Sequence, residues 1–405
     1  MNFFRRFVKR PQKIWARQAI FQIHLWMGLI IGLYLVAVGL SGSILVFKEE
    51  AIDALTPKLQ QPVIPDHATA RMTTIARNLR AAYPQHRIAL VQYPTSNTPE
   101  FRAVVLRRHP SVAKILTALH PNTGAIIGDV NLTASWLGFV HNLHILLLAG
   151  PAGFIANGIG AILLCVLCLS GIILWWPGIK RWKRALTVDF NRSWKRINFD
   201  LHSAIGLWLL PLVGFWGLST IYFVWEGPFT AFVHRASRVT IADFNKPPEY
   251  RPGRPGLHAD LDRMVHDAQQ RIPDTHPIAV MPAAGESVPF VVFMARENSS
   301  DSGEIPTHAV RVFFDPTDGR HLETRRPPPN RTAGDWIIWS MKPFHFGTEW
   351  GFAMKVVWAL LGLSIPVLTI TGALMYWNRS LSKLWRKHKR PACTLPVVRE
   401  HQEVA

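Results

Sequence analysis

The sequence predicts an α-helical membrane protein whose four transmembrane helices form two parallel repeats, each repeat carrying one small external α+β domain. Three observations carry that prediction. Apolar runs at 21–47, 152–176, 201–225 and 352–377 are each long enough to cross a hydrocarbon core of about 30 Å as a helix. The net charge of +19 is concentrated beside them: residues 1–18, 177–199 and 378–405 hold 6, 7 and 7 Lys/Arg against 0, 1 and 2 acids, which is 17 of the whole excess. Two histidine patterns also recur at identical spacings. His24 precedes Ser41 by 17 residues as His202 precedes Ser219, and His144 precedes Gly171 and Trp176 by 27 and 32 as His345 precedes Gly372 and Trp377.

In a chain of 405 residues with 49% hydrophobic content, runs of this length exclude the ordinary soluble class. Basic residues confined to short flanks are the positive-inside pattern and not a nucleic-acid-binding face, so no nucleic-acid partner is expected. The same pattern puts both termini and the middle loop in the cytoplasm and the two long segments outside.

Taken in order, residues 1–18 are a basic cytoplasmic N-terminus and 19–47 the first transmembrane helix. Its apolar stretch is too long for a signal peptide, and no small-residue cleavage site follows it, so it reads as a retained anchor. Residues 48–134 form the first external domain, with helical spacing over 68–82 and a strand, turn and strand at 120–128 (HPNTGAIIG). In 135–176 an interfacial helix over 136–148 precedes the second transmembrane helix. The Gly150-Pro151 step should break the two, because His144 to Trp176 as one helix would span about 48 Å. Residues 177–199 are the cytoplasmic loop and 200–226 the third helix. The second external domain, 227–334, repeats the helical spacing at 257–270 and the strand, turn and strand at 315–322 (DPTDGRHL), with Pro-rich linkers at 246–255 and 326–330. An interfacial segment and the fourth helix occupy 335–377, with Gly347 to Gly351 as the equivalent bend. Residues 378–405 are a basic cytoplasmic tail. Trp26, Trp175, Trp176, Trp208, Trp225 and Trp377 mark the run ends as an interfacial belt.

Cysteine plays no framework role, since the chain has 3 and none lies in the external segments. Cys165 and Cys168 form a CxxC inside the second helix, but Leu169 follows where a covalent haem site needs histidine, so they read as packing residues. Cys393 has no partner. Walker, dinucleotide and nucleophile-elbow motifs are absent; Gly158-Ile159-Gly160 lies within a membrane helix and lacks the third glycine.

The histidines are where chemistry is expected. By topology His24 and His202 open outward-running helices at the cytoplasmic side, and His144 and His345 open inward-running segments at the external side. Intramembrane ionisable groups are costly and mark functional positions. Paired neutral imidazoles grip haem iron from both faces, so the pattern reads as two b-type haem sites, His24 with His202 and His144 with His345. Gly28 and Gly206, four residues on, would clear space for a flat macrocycle. His141 lies three residues before His144 on the same face and has Lys342 at its counterpart; it is an alternative ligand or a propionate partner. Arg17, Lys195 and Arg196 are propionate partners or positive-inside anchors, and Trp136, Phe344, Phe346 and Trp350 are contacts for a substrate or belt residues. His67, His86, His109, His234 and His258 read as solvated surface.

The segments LSGSILVFKEE, LSGIILWWPG, LHSAIGLW, FHFGTEWG and ITGALMYW resemble the PepSY-associated transmembrane family. The four-helix arrangement with two PepSY-like domains is similar to the FoxB-like siderophore reductases of bacterial inner membranes, and the likeness covers nearly the whole chain. The resemblance implies haem-dependent one-electron reduction of a ferric siderophore at the periplasmic face by two b haems. It also implies an electron donor on the cytoplasmic side or in the membrane, and the ligands His24, His202, His144 and His345. Two other readings compete with this one: a haem-free sensor or regulator whose external domains bind a peptide or protease, and a quinol-linked cytochrome b that serves a soluble carrier.

Overall fold

The computed structural model describes residues 15–55, 69–95, 98–107, 114–241, 244, 246–253, 259–296, 309–328, 330–347 and 350–382. His67, His109, His258, Cys393, most of the basic termini and parts of the Pro-rich linkers lie outside them.

From the N-terminus, α1 (Trp15–Ile30) and α2 (Gly32–Leu45) are together long and apolar enough for one membrane span, bent by 60° at Ile31. The run 21–47 is expected to cross as one helix, and the bend falls where no proline interrupts it. Short α3 (Lys48–Leu55) leads into α4 (Met72–Ala82) and four strands: β1 (His86–Gln92), β2 (Phe101–Arg107), β3 (Lys114–Leu119) and β4 (Ile126–Asn131). Next comes α5 (Trp136–Leu146), whose N-terminus is capped by the Ser135 side chain accepting from Gly138 N at 3.1 Å. It ends in consecutive left-handed residues, Leu147 and Leu148, and α6 (Gly150–Trp175) begins at the Gly-Pro step. Of the remaining helices, α7 (Trp194–Val224) keeps Pro211 within it, and α8 (Glu226–Ala236) follows at once.

The second half repeats the order: α9 (Leu261–Arg271), then β5 (His276–Met281), β6 (Phe290–Ala295), β7 (Val310–Phe314) and β8 (His321–Arg325). After them come α10 (Ala333–Phe346), α11 (Gly351–Gly362) and α12 (Ser364–Tyr376), with a π turn at Trp377–Leu381. Among the described residues three helices, Gly150–Trp175, Trp194–Val224 and Gly351–Leu381, are long and apolar enough to cross a membrane, or four if the bent pair is one span. It is a helical membrane protein with an antiparallel sheet.

The two sets of strands are continuous. All eight form one antiparallel sheet in the order β4-β3-β2-β1-β5-β6-β7-β8. The seam between β1 and β5 pairs Val91 with Val280 and Gln92 with Ala279, and Tyr93 N donates to Ile278 O at 2.9 Å. Sequence marks the two segments as separate α+β pieces, because strand pairing across that separation leaves no local periodicity. One face of the sheet carries α4 and α9 over a shared core of Met72, Ile75, Leu79, Met264, Phe101, Phe290 and Phe314, each at most 2% exposed. Met72 N donates to the Asp262 carboxylate at 2.6 Å, tying one helix to the other.

The turns at 120–124 and 315–319 have the same build on different residues. His120 Nδ1 accepts from Asn122 N at 3.2 Å, and in the second turn Asp315 accepts from Thr317 N at 2.9 Å. Gly124 and Gly319 close them with φ of 67° and 75°.

By Cα proximity the chain forms two compact units. One contains Met1–Val36, Leu163–Gly214 and Leu363–Ala405; the other contains Ala37–Ile162 and Phe215–Gly362. Each unit holds one histidine pair.

Candidate functional site

In the first unit, His24 on α1 and His202 on α7 face each other with ring centres 6.4 Å apart and planes at 90°. In the second, His144 on α5 and His345 on α10 do the same at 6.3 Å and 60°. An ion held between two imidazole nitrogens at about 2 Å each, plus the half-width of each ring, separates the ring centres by roughly 6.3 Å. Both ring-centre separations match that value.

The tautomers follow from the hydrogen bonds. His144 Nδ1 lies 3.1 Å from Val38 O and His202 Nδ1 lies 2.9 Å from Leu368 O. A carbonyl can only accept, so these Nδ1 atoms carry the proton. His24 Nδ1 meets Ser170 Oγ at 2.8 Å and His345 Nδ1 meets Ser219 Oγ at 2.7 Å. Those hydroxyls already donate to backbone carbonyls, Ser170 to Leu167 O at 3.0 Å and Ser219 to Phe215 O at 2.9 Å, so each accepts from its histidine. Ser41 and Thr371 make the matching contacts with His144 and His202 at 3.1 and 3.0 Å. All four rings are consequently Nδ1–H tautomers with the Nε2 lone pair available for a metal, the support that metal-binding histidines receive from neighbouring groups.

These hydroxyls were not singled out by sequence reasoning as partners of the histidines. Ser41, Ser219, Gly171 and Gly372 were visible as register marks, but Ser170 and Thr371 were not. The signal was the Ser/Thr-Gly step shared by LSGSIL, LSGIIL and ITGALM. The glycine of each step underlies a histidine: a Cβ at Gly42 would sit 2.8 Å from His144 Cε1, at Gly372 3.2 Å from His202 Cε1, and at Gly171 3.7 Å from His24 Cε1. At Gly28 and Gly206, expected to clear space beside the rings, added Cβ atoms would make ordinary contacts with Leu167 at 3.9 Å and Leu368 at 3.5 Å. Both are helix-packing positions.

The other candidates sort by what they touch. His141 is exposed on α5, and it is His144 that faces His345. Arg17 donates to the carbonyls of Leu174 and Trp176, closing the end of α6, and Arg196 pairs with Asp200 at 2.9 Å. Both are occupied as helix-end and ion-pair groups, and Lys195 is exposed. Phe344 and Trp350 are exposed aromatics 5.0 Å apart, and Phe346 stacks on Phe223 at 5.8 Å beside His345. Trp136 is exposed on α5. His86 is half-buried against Tyr83, and exposed His234 accepts from Val239 N at 3.1 Å. Cys165 and Cys168 are free and half-buried in α6. Among the described residues no group of three or more His, Cys, Asp or Glu gathers as a metal-ion site.

The start of α10 is held by a buried carboxylate. Asp335 accepts from Thr240 N at 2.6 Å, Ile241 N at 2.9 Å and Thr332 N at 3.1 Å. Burial alone would raise its pKa, but these hydrogen bonds outweigh burial and hold it down at about 2.

Comparison with known proteins adds two findings. Residues 21–379 match the family described as the PepSY-associated TM region. The chain is also similar to an uncharacterized protein of Pseudomonas aeruginosa, 26% identical over 267 residues, which is 61% of this chain and 64% of that protein's length.

Proposed function

The chain belongs to the PepSY-associated transmembrane family, and from that premise and the two histidine pairs we propose that it is a di-haem membrane reductase. In this reading it moves electrons across the bacterial inner membrane and reduces a ferric siderophore at the periplasmic face, freeing the iron. Both termini are then cytoplasmic, the spans form two parallel repeats, and the two sets of four strands are the paired periplasmic PepSY-like domains.

The observation that carries the proposal is the repeated geometry of the histidines: facing rings 6.4 and 6.3 Å apart, with Nδ1 occupied on every ring. Bound between them, haem b would supply a one-electron ferric/ferrous couple at each pair. The rest belongs to the chain's own residues. His24 with His202, and His144 with His345, would hold the iron through their ring nitrogens. Ser170, Thr371, Ser41 and Ser219 orient those rings and strengthen Nε2 as a donor by holding the proton on Nδ1. The exposed rings of Trp136, Phe344, Phe346 and Trp350 offer a chelate flat apolar contact near the His144–His345 pair. Iron delivered as a ferric chelate is held less tightly by hard oxygen donors once it is ferrous, so reduction favours its release. An electron donor in the cytoplasm or membrane serves the His24–His202 pair.

Pyridine haemochrome analysis of purified protein should find about two non-covalent b haems per chain. Stopped-flow mixing of the reduced protein with a ferric siderophore should then reoxidise it. A colourless protein would favour a peptide- or protease-binding sensor, and faster oxidation by a soluble carrier would favour a quinol-linked cytochrome b.

A further inference from the structure

The histidines of the second pair sit almost at the ends of short helices, His144 two residues before the end of α5 and His345 one before the end of α10. The last carbonyls of a helix have no intrahelical partner, and leaving one unsatisfied in apolar surroundings is costly. Some are met locally: Leu148 N donates to Asn142 O at 3.2 Å, Ala149 N to Leu146 O at 2.8 Å, and Gly347 N to Pro343 O at 2.8 Å. Carbonyls at His144 and beside His345 are met from elsewhere. Asn157, buried in the apolar α6, donates Nδ2 to His144 O at 2.8 Å and to Ile145 O at 3.2 Å. Trp358, on α11, donates Nε1 to Phe344 O at 3.0 Å.

Asn157 lies 13 residues after His144, and Trp358 lies 13 residues after His345. The two halves thus place different side chains, an amide and an indole, in the same slot, and what they share is an N–H aimed at the backbone of the ligand-bearing helix. An amide inside a membrane helix is expensive without a partner, and an indole that only packed would not need its nitrogen turned to a carbonyl. At Trp358 the ring also rests on Gly347, where φ is 67° and an added Cβ would clash with the ring. Every other residue at position 347 would push the indole away.

Each histidine of this pair is therefore held from two sides. Its backbone hangs from the spanning helix that follows it, through Asn157 or Trp358, and its ring is fixed by a hydroxyl of another spanning helix, Ser41 on α2 or Ser219 on α7. Fixing both ends of the side chain sets the direction of Nε2. We propose that Asn157 and Trp358 are positioning residues for the axial ligands of the second haem, acting by pinning the carbonyls beside His144 and His345. This rests on the di-haem reading of the same site.

The test uses full-length protein in lipid nanodiscs. Asn157→Leu and Trp358→Phe remove the N–H and stay apolar, the first with a larger side chain and the second with a smaller one, and Asn157→Gln keeps the donor. The double variant N157L/W358F should bind the second haem on the order of tenfold more weakly. It should also show a changed low-spin electron paramagnetic resonance signal for that haem, while the haem at His24–His202 keeps both its occupancy and its signal. N157Q should return the wild-type signal. Unchanged affinity and signal in the double variant, equal disturbance of both haems, or N157Q behaving as N157L would each overturn the pinning role. Wild-type protein with fewer than two haems would instead overturn the di-haem reading, and the pinning role with it.

Discussion

His24 and His202 lie inside α1 and α7, where hydrogen bonds before and after them fix the backbone, whereas His144 and His345 lie near the C-terminal ends of α5 and α10. The ring-facing contacts are nearly the same in both pairs, a Ser or Thr hydroxyl at Nδ1 in all four cases. What differs is the source of rigidity. A ligand in a helix interior inherits its position from the ladder. One at a helix end depends on caps and side-chain pins, so it is easier to disturb and easier to tune.

The largest effect should come from removing ligands one pair at a time. His202→Ala should abolish one haem and leave the His144–His345 haem spectroscopically present; His345→Ala should do the reverse, and in right-side-out vesicles it should stop oxidation by an impermeant ferric siderophore. Haem content and optical spectra decide it, and loss of both haems in either folded variant would mean the helices are wrongly paired.

Next in size is the buried carboxylate at the start of α10. Asp335→Asn weakens the acceptor for Thr240 N, Ile241 N and Thr332 N and should cost roughly 2–4 kcal/mol. The folded pKa of about 2 lies below the ordinary 3.8, so this contribution is whole above about pH 4 and is lost as pH falls towards 2. Thermal melting followed by circular dichroism should fall over that window in the wild type, with the part due to Asp335 missing in the variant. A variant with the wild-type acid profile would remove Asp335 from the account.

A smaller, graded effect is expected at the glycines under the rings. Gly42→Ala would bring Cβ to 2.8 Å from His144 Cε1, while Ser41 and Val38 hold the ring in place, so about 1–3 kcal/mol of strain should appear as weaker haem retention. Gly372→Ala, at 3.2 Å from His202 Cε1, should be milder. The smallest effect belongs to Gly171→Ala, an ordinary contact at 3.7 Å, which should stay within about 0.5 kcal/mol. Haem-transfer assays rank the three, and a reversed order would show that the rings are free to move aside.

Much of the helical layout was legible because long apolar runs and a Gly-Pro step are local signals. Helix α6 begins at Gly150, where the sequence places the break, and the turns at 120–124 and 315–319 fall in the Pro/Gly segments. The bend at Ile31 was not legible, since 21–47 contains no proline and Gly32, which follows the bend, is only one of several glycines in the run. The pairing of β1 with β5 was hidden for another reason: strand alternation tells which face is buried but not which partner lies alongside. At the site, histidine spacing named the residues that face one another. The hydroxyls that fix their tautomers, and the donors Asn157 and Trp358, belong to other helices, so their roles became visible only once those helices were packed.

The β1–β5 seam also bears on how the protein is made. Strand β1 is complete at Gln92, but its partner on that side, β5, begins at His276. At about 5–20 residues per second the intervening chain takes roughly ten seconds or more to synthesise. Throughout that interval β1 presents an unpaired edge, the kind of surface that invites pairing with other chains. A newly made chain therefore faces a window of aggregation risk in the middle of its own synthesis, and truncation anywhere between the two strands would make that window permanent.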